Sequence, residues 1–497
     1  MPPLTPYQQL EQEFRRFAAL RGAANMLRWD AAVMMPRDAA DVRGDQLAAL
    51  ETECHGILVS PRVARLIERA DANAQGLEDW QRANLREMRR ERDRAIATPA
   101  VLIARLARAS ARAEARWVEA RSANDYAILA PHLEEVMTLV RDRSGLVGAA
   151  LGLEPYDALV DECSPGLRTT EIEPLFRSLA RRLPALIQRA IHAQPAVPLV
   201  PAGRFSVSRQ RQLAIEILRS LGFALEHGRF DASERPFTGG VRGDVRITAR
   251  FDATDPLCGL FAVLHEAGHA LYDQGLPVAW RGQPVGRDRG VAMQEGQSSL
   301  LERVIGRSAP FVAWLAPLLR RGYNVSGEHW ESAALLQRLT RVHRGLIRVD
   351  ADELTYLVHV MLRCALERRL LAGELRVADL PEAWNAEVEA RLAIRPRDDR
   401  AGVLQDVHWA IGAFGYFPCS ALGALLAAQL HEALRRALPT LDQDLEAGRF
   451  EDLVGWLRTE IYQHGAQLSF DELVRSATGR PLSATPWLRY VDSKYLG

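Results

Sequence analysis

The sequence has almost no lysine and no excess of charge of either sign. Lys494 is the only lysine among 63 basic residues, and acidic residues also number 63, so the formal net charge at pH 7 is zero. The arginines that supply the remaining positive charge are interspersed with acids and alanines, a pattern typical of solvated helix faces. No global field therefore attracts a polyanion, and we expect neither a nucleic-acid partner nor binding to an anionic membrane.

Cysteine pairs and long apolar runs are also missing. The five cysteines are scattered, odd in number and never arranged as CxxC, which is typical of a reducing compartment and excludes a disulfide framework. The first residues, MPPLTPYQQLEQEFRR, lack the basic segment and apolar core of a secretory signal, and no uncharged apolar run reaches about 18 residues. These absences predict a cytoplasmic protein that does not span a membrane.

Helical periodicity dominates what the sequence does contain. Apolar residues recur at steps of three and four from Tyr7 to about Arg121, and further helices are predicted over 131–151, 170–193 and 208–221. DVRITARF, which starts at Asp244, alternates apolar and polar residues and predicts a half-buried strand. We therefore predict a mainly α fold, a large helical cleft-bearing unit with a small antiparallel β-sheet beside the helix that follows it.

No internal repeat, low-complexity tract or Gly/Ser linker divides the chain. The prediction is a single unit over 1–497, with a helical half at 1–230, a small sheet region at 235–251 and the catalytic helices at 257–497. Gly and Pro predict loops over 275–289 and near 412–418.

The segment LFAVLHEAGHALYDQG contains HExxH within an apolar helical stretch. His265 and His269 are four residues apart, so on a helix both rings lie on one face and can reach one metal ion. Glu266 lies beside this pair and can take a proton from a metal-bound water as general base. The apolar flanks predict a buried helix rather than an exposed coincidence of spacing, so His265 and His269 are predicted metal ligands.

A catalytic site of this kind needs a third protein ligand and an open fourth position. The extended pattern HExxHxxGxxH is absent, because Tyr272 and Gly275 occupy its later positions. Glu295 and Glu302 lie on a second predicted helix, about two turns apart on a similar face. The small and amide neighbours of Glu295 favour it as the ligand. The other carboxylate would then be a surface group or the hydrogen-bond partner of a ligand histidine.

The chain resembles the carboxypeptidase Taq family of metallocarboxypeptidases over nearly its whole length. Seven ordered blocks carry the resemblance: WDAAVMMP from Trp29, RPFT from Arg235, DVRIT from Asp244, HEAGH from His265, QEGQSSLLE from Gln294, IRVDADELTY from Ile347 and GVLQDVHWAIGAFGYFP from Gly402. The resemblance implies a cytoplasmic, usually homodimeric enzyme that removes single residues from peptide C-termini with zinc or cobalt, one ion per chain. It also places the third ligand at Glu295.

An exopeptidase must bind the terminal carboxylate of its peptide substrate, and the guanidinium fork of arginine suits that task. Arg348 and Arg246 are the candidates, and the resemblance favours Arg348. Asp350 and Asp352 are expected to hold such an arginine in position, unless they belong to a purely structural ion-pair cluster.

Other polar residues of the last block are candidates for stabilising the reaction. His408 or Tyr416 can donate a hydrogen bond to the oxyanion of the tetrahedral intermediate, unless the two form a hydrogen-bonded core pair. Gln405 and Asp406 are expected near the substrate backbone or behind the metal ligands, and we take Gln405 as a substrate-binding candidate.

Three residues depart from the family pattern. Arg235 and Gln294 each replace a histidine that the family usually has, and Ser420 occupies a position that the family normally fills with tyrosine. Such a tyrosine would be an oxyanion donor, and losing one donor typically costs about 100- to 1000-fold in turnover.

We therefore predict a metal-dependent carboxypeptidase that cleaves by attack of a metal-bound water, with Glu266 as general base. One alternative is a metal-binding homologue with weak or altered activity, owing to Ser420, Gln294 and Arg235. A metallo-endopeptidase is another, because HExxH does not distinguish internal from terminal cleavage. A helical scaffold protein would suit the many amphipathic helices but has no need of Glu266 between two histidines.

Overall fold

The computed structural model describes residues 3–195, 203–233 and 235–497, and 72% of it is helical. The mainly α fold is therefore confirmed. The helices before the sheet are α1 (Pro6–Val33), α2 (Ala40–Val59), α3 (Pro61–Asp71), α4 (Asp79–Ala97), α5 (Ala100–Ala123), α6 (Ala130–Leu151), α7 (Pro155–Cys163), α8 (Thr169–Ala193) and α9 (Val207–Ser220).

The remaining helices follow the sheet. They are α10 (Cys258–Gly275), α11 (Val291–Ser299), α12 (Ala309–Tyr323), α13 (Ser332–Leu339), α14 (Glu353–Ala372), α15 (Leu380–Leu392), α16 (Tyr416–Ala437), α17 (Leu441–Glu446), α18 (Glu451–Glu460), α19 (Phe470–Thr478) and α20 (Ala484–Leu496). A π-helical segment, Leu300–Ile305, continues α11 directly. Nowhere in the described ranges is a helix both long and apolar enough to cross a membrane.

Three short strands form the sheet: β1 (Gly228–Ala232), β2 (Phe237–Val241) and β3 (Asp244–Ala249), in the order β1-β3-β2. β2 and β3 form an antiparallel hairpin, whereas β1 pairs with β3 in parallel. The sheet is thus mixed rather than antiparallel as predicted. The period-two alternation of β3 indicates a strand but carries no information about the direction of its neighbours.

Helix α10 lies between the sheet and α11, and it contacts both at very close range. A Cβ atom at Gly268 would lie 2.4 Å from the Cα of Ser298, and one at Gly259 would lie 2.3 Å from the ring of Phe251. Helix α16 approaches α11 in the same way, since a Cβ at Gly423 would lie 2.4 Å from the Cβ of Glu295. Only glycine permits these backbone contacts, which draw α10, α11 and α16 together around one point.

The helices predicted over 131–151, 170–193 and 208–221 match α6, α8 and α9 within one residue. The loop over 275–289 is also confirmed and contains two short 3-10 turns, Val278–Trp280 and Pro284–Gly286. The loop near 412–418 is shorter than predicted, because α16 already begins at Tyr416. Pro418 lies in the first turn of α16, where its missing N–H costs no helical hydrogen bond.

The buried apolar side chains form two clusters. The smaller belongs to α1–α4 and includes Leu10, Phe14 and Met88, all fully buried. The larger extends from α5 to α20 and surrounds α10, α11, α14 and α16. Since α1–α4 have a small core of their own, the division of 1–497 into one unit with parts at 1–230, 235–251 and 257–497 stays a prediction.

Candidate functional site

His265, His269 and Glu295 offer donor atoms that all lie within 4.8 Å of one another. The two imidazole rings project from successive turns of α10, with centroids 5.1 Å apart. Glu295 comes from α11, whose backbone contacts α10 at Gly268. Two imidazoles and a carboxylate are a donor set that divalent zinc and its neighbours prefer, with a further position left for water or substrate. The chemistry of these residues therefore fits a catalytic metal ion.

Glu302 does not join this group but lies behind His265. Its Oε2 is 3.1 Å from Nδ1 of His265, and its Oε1 accepts a hydrogen bond from Arg307 at 2.6 Å. Burial alone would raise the pKa of Glu302, but Arg303 and Arg307 outweigh burial and hold this pKa well below its usual range. The carboxylate therefore only accepts, so Nδ1 of His265 must carry the hydrogen and Nε2 is left for a metal.

Gln294 lies behind His269 in the corresponding way. Its Oε1 is 3.0 Å from Nδ1 of His269, and its Nε2 donates to Oδ1 of Asp273 at 2.9 Å. The contact with Asp273 fixes which end of the amide faces the imidazole, so the histidine again donates through Nδ1. Gln294 is one of the departures from the family pattern, and its amide still provides an acceptor that orients the ring.

Glu266 is 7% exposed and points from α10 towards β2. The hydroxyl of Thr238 lies 2.8 Å from Oε2 of Glu266 and 3.0 Å from its main-chain oxygen. The carboxylate of Glu266 faces the same cavity as the three possible ligands.

A cavity of about 730 Å³ contains the whole group. Close to the possible metal ligands its wall includes Thr238, Arg348 and Tyr416. The cavity wall also has many charged residues: Arg21, Glu87, Arg90, Glu91, Glu162, Asp273, Arg287, Asp288 and Arg289. Its volume is within the usual range for a small-ligand pocket and admits the end of a peptide.

Tyr416, the first residue of α16, reaches the metal group directly. Its hydroxyl donates to Oε1 of Glu295 over 2.5 Å. His408 stacks on the Tyr416 ring with centroids 5.2 Å apart. Burial lowers the pKa of His408 to about 4. Asp406 opposes this shift, but Arg348 and Arg363 add to it, so the imidazole is neutral at pH 7.

Arg348 is held by a buried ion-pair network. Its Nη2 donates to Oδ1 of Asp406 at 2.8 Å, and its main-chain N–H donates to Oε1 of Gln405 at 2.9 Å. Arg363, which is fully buried, donates to both Asp406 and Gln405. The predicted support from Asp350 and Asp352 is therefore wrong, since Asp352 caps the N-terminus of α14 instead.

Of the described residues that line the cavity, none is Arg246, Gln405 or His408. Arg246 pairs with Asp244 and lies over the ring of Trp29, because alternate residues of β3 point to opposite faces. The side-chain amide of Gln405 donates to main-chain carbonyls and does not face the cavity. The structure thus supports Arg348, but neither Arg246 nor Gln405, as a group that can meet a substrate.

Ser420 lies one turn beyond Tyr416 and is buried away from the cavity. Its hydroxyl is 2.5 Å from the hydroxyl of Tyr356, another buried residue. The nearby hydroxyl that faces the cavity belongs to Tyr416, and the effect on catalysis of Ser420 in place of tyrosine stays a prediction. Arg235, the third departure, is exposed and lies over the ring of Trp117.

Sequence reasoning missed two supporting residues, Arg363 and Thr238. Arg363 is recognisable in retrospect as a charged residue in the apolar stretch TYLVHVMLRCAL of α14, because a buried charge needs a partner. Thr238 belongs to the RPFT block, but nothing in its spacing from HExxH indicates that it contacts Glu266.

Replacing Asp406 by asparagine is expected to lower the melting temperature at pH 7, because two buried guanidinium groups lose their shared carboxylate, a loss of about 3–5 kcal/mol. Burial alone would raise the pKa of Asp406, but Arg363 and Arg348 outweigh burial and hold it far below its ordinary value of about 3.9. The stabilisation is thus complete above that ordinary value and disappears as the pH falls towards the lower folded-state pKa.

Thermal unfolding of the two proteins between pH 2 and pH 8 measures this effect. The difference in melting temperature should be constant above about pH 5 and shrink below about pH 4. Asp379→Asn, which removes an exposed carboxylate paired with Arg376, is the matched control and should change little. A difference for Asp406→Asn that does not vary with pH would contradict the ion-pair account.

Comparison with known proteins agrees with this site. A profile of the carboxypeptidase Taq (M32) metallopeptidase family matches residues 9–495. Thermostable carboxypeptidase 1 of Thermus thermophilus is 36% identical over 511 residues, which cover 100% of this chain and 99% of that protein. Metallocarboxypeptidase 1 of Trypanosoma cruzi superposes with a TM-score of 0.96 at 36% identity, over 99% of both chains.

The M32 carboxypeptidase of Deinococcus radiodurans R1 is similar too, with a TM-score of 0.91 and 33% identity over 99% of this chain and 98% of that one. The resemblance inferred from the seven sequence blocks is therefore confirmed over the whole length. The chain belongs to the carboxypeptidase Taq (M32) metallopeptidase family, and it is a metal-dependent carboxypeptidase, a hydrolase of peptides.

Proposed function

We propose that His265, His269 and Glu295 hold one divalent ion per chain, zinc or cobalt, and that Glu266 is the general base that acts beside it. The observation that carries the proposal is the convergence, in one cavity, of the three donor groups with a free carboxylate and an arginine. Nitrogen-rich sites with one carboxylate favour zinc and its neighbours over magnesium or calcium. Membership of a metallopeptidase family supports a resident metal.

When bound, the ion supplies a Lewis acid that polarises the scissile carbonyl and makes water a better nucleophile at neutral pH. Glu266 takes a proton from the attacking water and passes it to the nitrogen of the leaving amino acid. Its position on α10, one residue after His265, keeps it beside the proposed ligands without making it one of them. Thr238 occupies one of its oxygens and leaves the other for the reaction.

Tyr416 is the proposed donor to the oxyanion of the tetrahedral intermediate. Its hydroxyl lies at the metal group, 2.5 Å from Glu295, and can turn towards a substrate carbonyl in the same cavity. His408 is the weaker candidate, because its ring stacks behind Tyr416 and does not reach the cavity. We assign His408 the role of supporting the Tyr416 ring.

Arg348 is the proposed partner of the substrate's terminal carboxylate. Burial alone would lower the pKa of Arg348, but Asp406 outweighs burial and raises it above its ordinary value, so the guanidinium stays charged. Asp406 and Gln405 fix its position, and the side chain still lines the cavity. A fixed cation in the cavity would bind the terminal carboxylate and so limit cleavage to the C-terminus. A metallo-endopeptidase would not require such a cation.

The proposal extends to the setting of the enzyme. The substrates are peptides with a free C-terminus, and the family resemblance supports a homodimer. All five cysteines belong to the described residues and none forms a disulfide, which supports a reducing, cytoplasmic location.

Glu266→Gln is expected to keep about one ion per chain but to lose at least about 100-fold in kcat, because the ligands remain while the base does not. Elemental analysis of the purified protein and hydrolysis of a blocked dipeptide with a free C-terminus measure the two quantities. Glu162→Gln is the matched control, since Glu162 also lines the cavity but pairs with Arg143. Wild-type turnover in Glu266→Gln would remove Glu266 from its role.

Arg348→Gln is expected to raise KM for a free peptide by about 10- to 100-fold, the usual worth of hydrogen bonds to a charged group. Amidation of the peptide C-terminus should have the same effect on the wild type and little further effect on the variant. Arg246→Gln, the alternative that the sequence left open, should leave KM nearly unchanged. If amidated and free peptides were cleaved equally by the wild type, the terminal carboxylate would not be recognised at all.

A further inference from the structure

Thr238 is the one side chain hydrogen-bonded to the Glu266 carboxylate in the described part of the protein. Its hydroxyl lies 2.8 Å from Oε2 and 3.0 Å from the main-chain oxygen of the same residue. The hydrogen-bond donor that the described chain offers to this carboxylate is a neutral hydroxyl, although charged groups also line the cavity. The orientation of this carboxylate therefore depends on a neutral hydroxyl from another element of the fold.

The hydroxyl is itself held rigidly. Thr238 lies on β2, at the edge of the sheet, opposite Ile247 of the central strand β3. The neighbouring N–H of Phe237 donates to the hydroxyl of Thr248 at 3.0 Å, which ties β2 to β3 at this point. Threonine is branched at Cβ and has restricted χ1 rotation, so the hydroxyl keeps its direction towards α10.

We infer that Thr238 is a positioning residue that fixes the rotamer of Glu266 and directs its free oxygen, Oε1, into the cavity. This inference rests on the proposed role of Glu266 as general base. Holding one oxygen of a carboxylate leaves the other at a defined distance from the reacting water, and proton transfer is sensitive to that distance.

The hydrogen bond between Thr238 and Glu266 does not depend on whether Glu266 carries a proton. A hydroxyl carries one hydrogen and two lone pairs, so it can donate to Oε2 or to the main-chain oxygen. While Glu266 is a carboxylate, the hydroxyl donates to Oε2, which is the stronger charge-assisted bond. When Oε1 of Glu266 carries the proton taken from water, Oε2 is the carbonyl oxygen of the acid and still accepts the hydrogen bond from Thr238. Thr238 thus holds Glu266 before and after it receives the proton.

Thr238→Val, which keeps the shape but removes the hydroxyl, tests the inference in the metal-loaded enzyme. It is expected to lower kcat by about 10- to 100-fold, the usual worth of a hydrogen bond to a charged group, with KM within about two-fold of the wild type. Thr238→Ser retains the hydroxyl and should recover most of the lost kcat. Metal content and melting temperature should stay near wild-type values. Thr138→Val, which removes an exposed hydroxyl on α6, is the control for the substitution itself.

The decisive comparison is made in the Glu266→Gln background. If Thr238 acts through Glu266, adding Thr238→Val there should cause no more than about a two-fold further loss in kcat, because residues that act as a unit are not additive. A full additional loss, or a Thr238→Val enzyme with normal kcat, would overturn the inference while leaving Glu266 as general base. Loss of kcat in Thr238→Ser as large as in Thr238→Val would also overturn it. Wild-type turnover in Glu266→Gln alone would instead overturn the proposed function and this inference together.

Discussion

The site depends on backbone contact between three helices. Gly268 lets α10 touch α11, and Gly423 lets α16 touch α11 at Glu295, and at both positions a Cβ atom would overlap the neighbouring backbone or side chain. These contacts bring Glu295 to the two histidines and Tyr416 to Glu295. Helix packing normally separates axes by about 8–10 Å, and glycine at the crossing is what allows the closest approach. The proposed ligand set is thus a consequence of packing that two glycines make possible.

Around this contact, two buried carboxylates, Glu302 and Asp406, each fix the orientation of a neighbouring side chain. Glu302 accepts from Arg307 and from His265, and Asp406 accepts from Arg348 and Arg363. Burying such groups costs free energy unless each is paired and hydrogen-bonded, so the pairs are better understood as devices for positioning than as sources of stability. Glu302 orients the imidazole of His265, a proposed metal ligand. Asp406 holds a cation where a peptide terminus can reach it.

Much of this could be predicted from the sequence, and the failures have physical reasons. HExxH predicts two ligands and a base because a helix fixes residues four apart on one face. Spacing left Glu295 and Glu302 open, since both lie on a similar helical face. Only the packing of α10 against α11 places Glu295 beside both histidines and Glu302 against Nδ1 of His265. Arg246 does not line the cavity, and its direction could not be predicted because it depends on which face of β3 is buried. The contact of Ser420 with Tyr356 could not be predicted, because the sequence block does not show which way α16 is turned.

The central claim is that the metal is held by His265, His269 and Glu295, with Glu302 outside the ligand set. Equilibrium dialysis against zinc and cobalt, with elemental analysis of the wild type, Glu295→Gln and Glu302→Gln, tests it most directly. The account predicts about one ion per chain in the wild type, loss of binding in Glu295→Gln, and binding weakened by only about 10- to 100-fold in Glu302→Gln. Normal binding by Glu295→Gln together with loss of the ion in Glu302→Gln would contradict it.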